Sequence, residues 1–470
     1  AELALAERSA EQRGKLARSR AGLAEVAAAL PPQTALVAFV RYGRLDLTTR
    51  QGDKPQPLSQ STPAFAAFIL SSASAVPVVV PLADAAAVDT LVARWRTTTA
   101  REALAGGRAA KAGEASYQKV AEELRRALWD PIASHLGAAQ QVFIVPDGTL
   151  NVVSLAALPT GDGRYLIETG LRVHYLSAER DLASPDNVGS RGGLVALSNP
   201  DFNDRQLFTA LGPRQVGEAP VTAATTAALF RGSRSACGSF QSMRFEALPA
   251  SARETSEIVR LWGDESSALS FTGPAANETT FKQTAGGHRV LHLATHGFFL
   301  AEDCGSASDA PAASGTSPAS RTVTRENPLL LSGLVLAGAN HRDAAGADED
   351  DGILTAEEIA TLDLQGTEWA VLSACDTGTG EIRAGEGVFG LRRAFQLAGA
   401  HTVIMSLWPV EDEATRQWMT ALYRHRFVEG KFTAASVNDA SLELLQQRRA
   451  RGESTHPFYW AGFIAAGAWR

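Results

Sequence analysis

Cys375 and His296 stand out among three cysteines and nine histidines because their positions would allow them to do covalent chemistry together. Arg289–Thr295 (RVLHLAT) reads as a strand running into His296-Gly297, and Trp369–Ala374 (WAVLSA) as a strand running into Cys375-Asp376. Catalytic groups in open α/β sheets gather beyond the carboxyl ends of the strands, so two neighbouring strands of this kind deliver an imidazole and a thiol to one edge. The thiolate is the reactive form, and a cysteine with an ordinary pKa of about 8.5 needs a partner at neutral pH. His296 is suited to take the thiol proton and later to protonate a leaving amine. The unobstructed N–H of Gly297 and the amide of Cys375 would form an oxyanion hole. Taken singly, a strand-end cysteine is more often an inert packed thiol and a lone histidine a satisfied core residue; the joint placement is what points to a site.

Two further patterns carry less. His292 and His296 are spaced i, i+4, which on a helix would suggest zinc ligands, but the stretch reads His-Leu-Ala-Thr-His, lacks the glutamate after the first histidine, and sits in a strand. Gly385, Gly387 and Gly390 satisfy GxGxxG but follow a Gly-rich loop and no Gly-Lys-Ser/Thr is present, so with Gly378 and Gly380 they are expected to shape a site loop. No metal and no cofactor is implied.

The elements that must position the pair alternate strand and helix. Strands are expected at Ala35–Tyr42, Val76–Val80, Gln141–Val145 and Val173–Leu176, with helices over about 84–96 and 115–136. Residues 184–193 (SPDNVGSRGG) read as a linker. The alternation then resumes, with strands at Leu194–Leu197, Val290–Ala294, Leu334–Leu336, Trp369–Ala374, Thr402–Leu407 and Phe463–Ala465. Helices are expected over 251–261, 277–285, 355–361, 387–398, 413–427 and 434–449. Buried strands flanked by helices predict a mostly parallel sheet covered on both faces. Residues 3–30 read as one amphipathic helix stopped by Pro31-Pro32, either a docking helix or the end of an upstream helical array. Residues 301–326 have no apolar period and are expected to form a loop, either a lid beside His296 or a tolerated insertion.

Composition bounds the partners. The length of 470 residues suggests two to four domains. A net charge of −7 argues against general binding to a nucleic-acid backbone, and Arg448, Arg449 and Arg451 read as a solvated helix face. The cysteine spacing fits neither a disulfide framework nor a zinc site, so a reducing, cytoplasmic setting is expected. The apolar stretch Ala64–Ala83 is interrupted by serines and prolines and reads as a helix end, a turn and a strand, so no membrane span is expected. No signal segment opens the chain, and the absence of an initiator Met suggests a piece of something longer.

Four stretches carry a family resemblance: Val145–Leu158 (VPDGTLNVVSLAAL), Val290–Phe299 (VLHLATHGFF), Pro328–Asn340 (PLLLSGLVLAGAN) and Leu372–Trp408. Together they resemble the CHAT domain, a caspase-like cysteine protease fold of the clan that includes caspases and separase, often found behind tetratricopeptide repeats. The resemblance covers roughly 30–470. It implies a layered αβα fold with a pseudo-caspase lobe at 31–185 and a catalytic lobe at 190–470, and it matches His296-Gly297 and Ala374-Cys375 to the clan's dyad. It also implies a protein substrate and an upstream tetratricopeptide-type region or activator that gates the site.

In this clan the loop after the strand that follows the nucleophile lines the primary pocket. Here that loop is Leu407–Asp412 (LWPVED), and a similar separase arrangement makes Asp412 the candidate floor of a pocket for arginine. A carboxylate binds guanidinium bidentately, which lysine matches less well. Glu411, Asp412 and Glu413 equally suit the positive end of a helix beginning there, and the two roles are compatible. Caspases place glutamine two residues before the nucleophile; this chain has Ser373, a candidate substrate contact that argues against aspartate specificity, although Arg383 in the adjoining loop leaves it open. The competing reading is a caspase-fold scaffold without catalysis.

Overall fold

The computed structural model describes residues 21–45, 61–72, 74, 76–101, 108–183, 192–209, 243–299, 329, 332–346, 349–373, 375–376, 384–408 and 410–470. The strand–helix alternation folds into an α/β protein whose strands are mostly parallel and flanked by helices. The chain divides into two compact units, one of Ala1–Asn187 with Arg424–Arg470 and one of Val188–Tyr423.

In the first unit, β1 (Thr34–Arg44) pairs antiparallel with β2 (Thr62–Ser71), and β2 antiparallel with β3 (Val78–Asp84). On its other side β1 runs parallel to β4 (Gln141–Val145), followed by β5 (Arg172–Tyr175) and then Phe463–Gly467. The expected helix end in Ala64–Ala83 is corrected: that stretch belongs to the second and third strands of a meander, and Ala64, Phe65, Ala66, Ala67, Ile69 and Leu70 are all buried, an apolar run that suits a strand covered on both faces. The helices Ala85–Arg101 and Arg108–Leu128 pack on one another. Two tyrosines fasten the 153–158 part of the first resembling stretch. Tyr117 donates to the Ala157 carbonyl at 2.8 Å, while Tyr175 donates to Val153 O at 2.8 Å and accepts from Leu155 N at 2.9 Å.

The expected second lobe, 190–470, is longer than the second compact unit, which ends at Tyr423. The reason lies in pairing: Ala466 is the register partner of Tyr175, and the helix Thr433–Ala450 packs on β5 and on Phe463–Gly467. Of the expected 3–30 helix, Leu23–Ala29 is a helix with Val26 buried, and 1–20 lie outside the described residues.

The second unit is built on five parallel strands, β6 (Leu194–Pro200), β7 (Ala268–Gly273), β8 (Val290–Ala294), β12 (Trp369–Leu372) and β14 (Thr402–Ser406), in the order β14-β12-β8-β6-β7. A smaller sheet lies beside them in the order β11-β10-β9-β13, from β9 (His296–Phe299), β10 (Ser332–Val335), β11 (Ile353–Thr355) and β13 (Cys375–Asp376). Leu334–Leu336, expected in the parallel sheet, belongs instead to antiparallel β10 and the turn after it. The helix Pro249–Trp262 packs on β6, β7 and the helix Asp412–Tyr423, and the helix Ala384–Ala398 packs on β9, β10 and β14. Gly385, Gly387 and Gly390 therefore stand within a helix, not in a loop as expected. Leu391, Ala394, Phe395 and Ala398 are buried at helical spacing, and that period carries the helix through the glycines. No helix among the described residues is long and apolar enough to cross a membrane.

Candidate active site

Each of the two chemically suited residues opens a second, short strand. After Ala294 ends β8, Thr295 makes the break, its hydroxyl donating to the Val335 carbonyl at the end of β10, and His296 starts β9. On the neighbouring chain path β12 ends at Leu372, Ser373 follows as a buried residue, and Cys375 starts β13. The parents are parallel neighbours with Leu293 opposite Leu372, and the continuations are parallel neighbours with His296 opposite Cys375 and Gly297 opposite Asp376. Gly297 also lies opposite Leu334 of β10. A sequence separation of 79 residues closes to one register step because both strands cross from the same parallel sheet into the same small one.

The His296 imidazole is 3% exposed. Its Nε2 lies 2.8 Å from the carbonyl oxygen of Glu246. A carbonyl only accepts, so Nε2 carries the proton and donates, and in the neutral ring Nδ1 holds the lone pair. Phe202 and Phe245 lie against the ring with centroids at 5.2 and 5.8 Å. They belong to an apolar cluster with Phe298, Val335, Ala339 and Ile353. Sequence reasoning did not anticipate Glu246, Phe202 or Phe245; a backbone carbonyl leaves no residue-type signal.

His292, four residues earlier, has a different fate. It is fully buried, with Nε2 2.8 Å from Glu254 Oε1 and Nδ1 3.1 Å from the Tyr423 hydroxyl. Burial beside Glu254 pushes the Tyr423 phenol well up. Side chains alternate along β8, which puts His292 on the face covered by the helices Pro249–Trp262 and Asp412–Tyr423. It is a core histidine tying two helices to the sheet.

Asp412 is the first residue of the helix Asp412–Tyr423, while Leu407 and Trp408 before it are buried. Its neighbour Glu413 grips Arg416 through Oε1 at 2.5 Å and Oε2 at 3.0 Å, and these bonds hold its carboxyl down at about 2. Arg416 also reaches Glu257 at 2.6 Å, joining this helix to Pro249–Trp262. Residues 301–326 and Arg383 lie outside the described residues.

Among the described residues, one group of three carboxylates has a cation-site spacing, Glu278, Asp350 and Glu358, with oxygens within 4.8 Å of one another. The Lys282 ammonium contacts all three at 2.9, 2.6 and 3.0 Å, so the positive charge there is supplied by the chain. Burial and neighbouring Asp351 push the Glu278 carboxyl up to about 8.

Fold and site together define an α/β protein with a histidine and a cysteine aligned on adjacent strands. A family model of the CHAT domain matches residues 118–468, and the chain belongs to that family. Among curated proteins, the chain is similar to tetratricopeptide repeat protein 28 of Mus musculus, 34% identical over 116 residues, and of Homo sapiens, 33% identical over 116 residues. Each match covers 25% of this chain and 4% of the relative, so the chain corresponds to a small part of those proteins. Among solved structures, the Saccharomyces cerevisiae separase–securin complex matches with a TM-score of 0.49 at 7% identity, over 97% of this chain and 31% of that one. The Arg-specific cysteine proteinase gingipain R matches with a TM-score of 0.38 at 7% identity, over 81% and 73%.

Proposed function

We propose that this chain is a cysteine endopeptidase of the caspase-like kind, with Cys375 as nucleophile and His296 as general base and acid. The observation that carries the reading is the register of β9 and β13, which pairs His296 with Cys375, while the bond to Glu246 makes Nδ1 the basic nitrogen. In the reaction, Nδ1 takes the thiol proton as sulfur bonds to the scissile carbonyl carbon. The C–N bond then breaks as the imidazolium returns that proton to the leaving amine. Water, deprotonated by the same nitrogen, releases the acyl group and restores the thiol. The amides of Gly297 and Cys375 are the proposed oxyanion donors.

Asp412 is the proposed floor of a pocket for an arginine before the scissile bond, with Ser373 as a further substrate contact. The place of Asp412 at the helix start, four residues after buried Trp408, supports this. An upstream tetratricopeptide-type region that gates the site fits the repeat proteins among the relatives.

A panel of peptides offered to the wild type, Cys375→Ala and His296→Ala tests the proposal. Cleavage after arginine is expected in the wild type, with a loss of about 10³-fold or more in either variant. Undiminished turnover in Cys375→Ala would sink it. A wild type that cleaves nothing, and whose Cys375 alkylates no faster than free cysteine, would favour the scaffold reading.

A further inference from the structure

The bond that sets the tautomer of His296 depends on where the Glu246 carbonyl is held, and Glu246 lies in a segment with no regular secondary structure. Residues 243–248 form a strap that leads into the helix Pro249–Trp262. Its head is held where Arg342 Nη2 donates to Met243 O at 3.2 Å, and its tail where Leu248 N donates to Asn199 Oδ1 at 3.2 Å. Between them, one side chain holds both backbone groups of a single residue. Asn340 Oδ1 accepts from Phe245 N at 2.9 Å, and Asn340 Nδ2 donates to Phe245 O at 2.9 Å.

A primary amide presents an acceptor and a donor in one plane, as a paired strand residue does, so this two-bond ring fixes the Phe245 peptide planes in rotation as well as position. The next carbonyl along the chain is that of Glu246, 2.8 Å from His296 Nε2. Asn340 is itself immobilised. Its Nδ2 also donates to Asn203 Oδ1 at 2.9 Å, its backbone N–H donates to Phe202 O at 2.9 Å, and its side chain is buried. Phe202 and Phe245, whose rings lie against the imidazole, are therefore both tied to Asn340 through their backbones.

We propose that Asn340 is a positioning residue for His296: by clamping Phe245 it aims the Glu246 carbonyl at Nε2 and so keeps Nδ1 as the basic nitrogen. The consequence for catalysis rests on the peptidase reading; the clamp itself does not.

The test is ¹⁵N NMR of histidine-labelled full chain, with the His296 ring signals assigned by comparison with His296→Gln, alongside kinetics of peptide cleavage. The wild type is expected to hold the Nε2–H tautomer. Asn340→Ala, and Asn340→Asp, which keeps the acceptor for Phe245 N but loses the donor to Phe245 O, are expected to show a tautomer mixture and a lower His296 protonation midpoint. In both, kcat should fall on the order of 10- to 100-fold at unchanged KM, the size seen when hydrogen-bond partners that orient metal-ligating histidines are removed. Asn203→Ala removes one bond that steadies Asn340 but leaves both bonds to Phe245, and is expected to shift the tautomer and the midpoint less than either Asn340 variant. A folded Asn340→Ala or Asn340→Asp with the wild-type tautomer and midpoint would overturn the clamp whatever its activity; if Asn340→Ala does not fold, Asn340→Asp decides. A wild type that cleaves no peptide overturns the peptidase reading alone, because the tautomer comparison still decides the clamp.

Discussion

Two histidines four residues apart show how little residue type alone determines. His292 ends its hydrogen-bonding capacity inside the core, on Glu254 and Tyr423, whereas His296 turns one nitrogen to a backbone carbonyl and stands in register with a cysteine. Glu254→Ala would leave a fully buried imidazole nitrogen without its partner, and a loss of roughly 2–4 kcal/mol in denaturant-measured stability is expected. The alkylation rate of Cys375 should stay unchanged, and a slowed rate would show that His292 reaches the site. Asp412→Ala is expected to lower kcat/KM for arginine peptides about ten- to a hundredfold, from lost charge-assisted bonds, while costing the helix only about 0.3–1 kcal/mol. Unchanged arginine preference in that variant would remove Asp412 from the pocket.

At the scale of elements, the candidate site is made by two strands that each leave one sheet and enter another. The parent strands β8 and β12 were legible as apolar runs ending in His-Gly and Ala-Cys. The continuations β9 and β13 were not, because strands of four and two residues have too little period to read. The small sheet depends on close backbone approach. Gly352, just before β11, has φ +85°, and a Cβ there would lie 2.5 Å from Ala339 N, next to the clamp residue Asn340. Its N–H also donates to Glu278 at 2.6 Å, which links this turn to the Lys282 cluster. Gly352→Ala is expected to cost roughly 3 kcal/mol or more, since a disfavoured φ and a backbone clash add, and a fall in the urea midpoint would register it. A neutral result would mean that the 337–340 turn yields without cost.

At the scale of the molecule, two buried groups give the two units opposite responses to pH. In the first unit, burial pulls His456 down from 6.5 to about 4, so its contribution is complete above about 6.5 and is lost as pH falls through 4, roughly 3 kcal/mol in all. In the second unit, Glu278 is pushed up from 4.5 to about 8, so its contribution is present below about 4.5 and is lost as pH rises through 8. Between pH 8 and 5, hydrogen exchange should therefore show protection weakening in β4 and strengthening in β8 as pH falls. His456→Phe should flatten the first slope, and an unchanged slope would remove His456 as its cause.

The sequence by itself determined the α/β class, most of the longer strands and helices, the family, and the two residues suited to nucleophilic chemistry, because hydrophobic period and strand-end motifs are local properties. Tertiary structure alone decided three things. The strand Phe463–Gly467 joins the first unit because its partner, β5, lies far back in the chain. His292 becomes core because two helices cover its face of β8. The protonated nitrogen of His296 is chosen by the carbonyl of a residue 50 positions earlier. Every residue carries such a carbonyl, so only the fold could say which one His296 would meet.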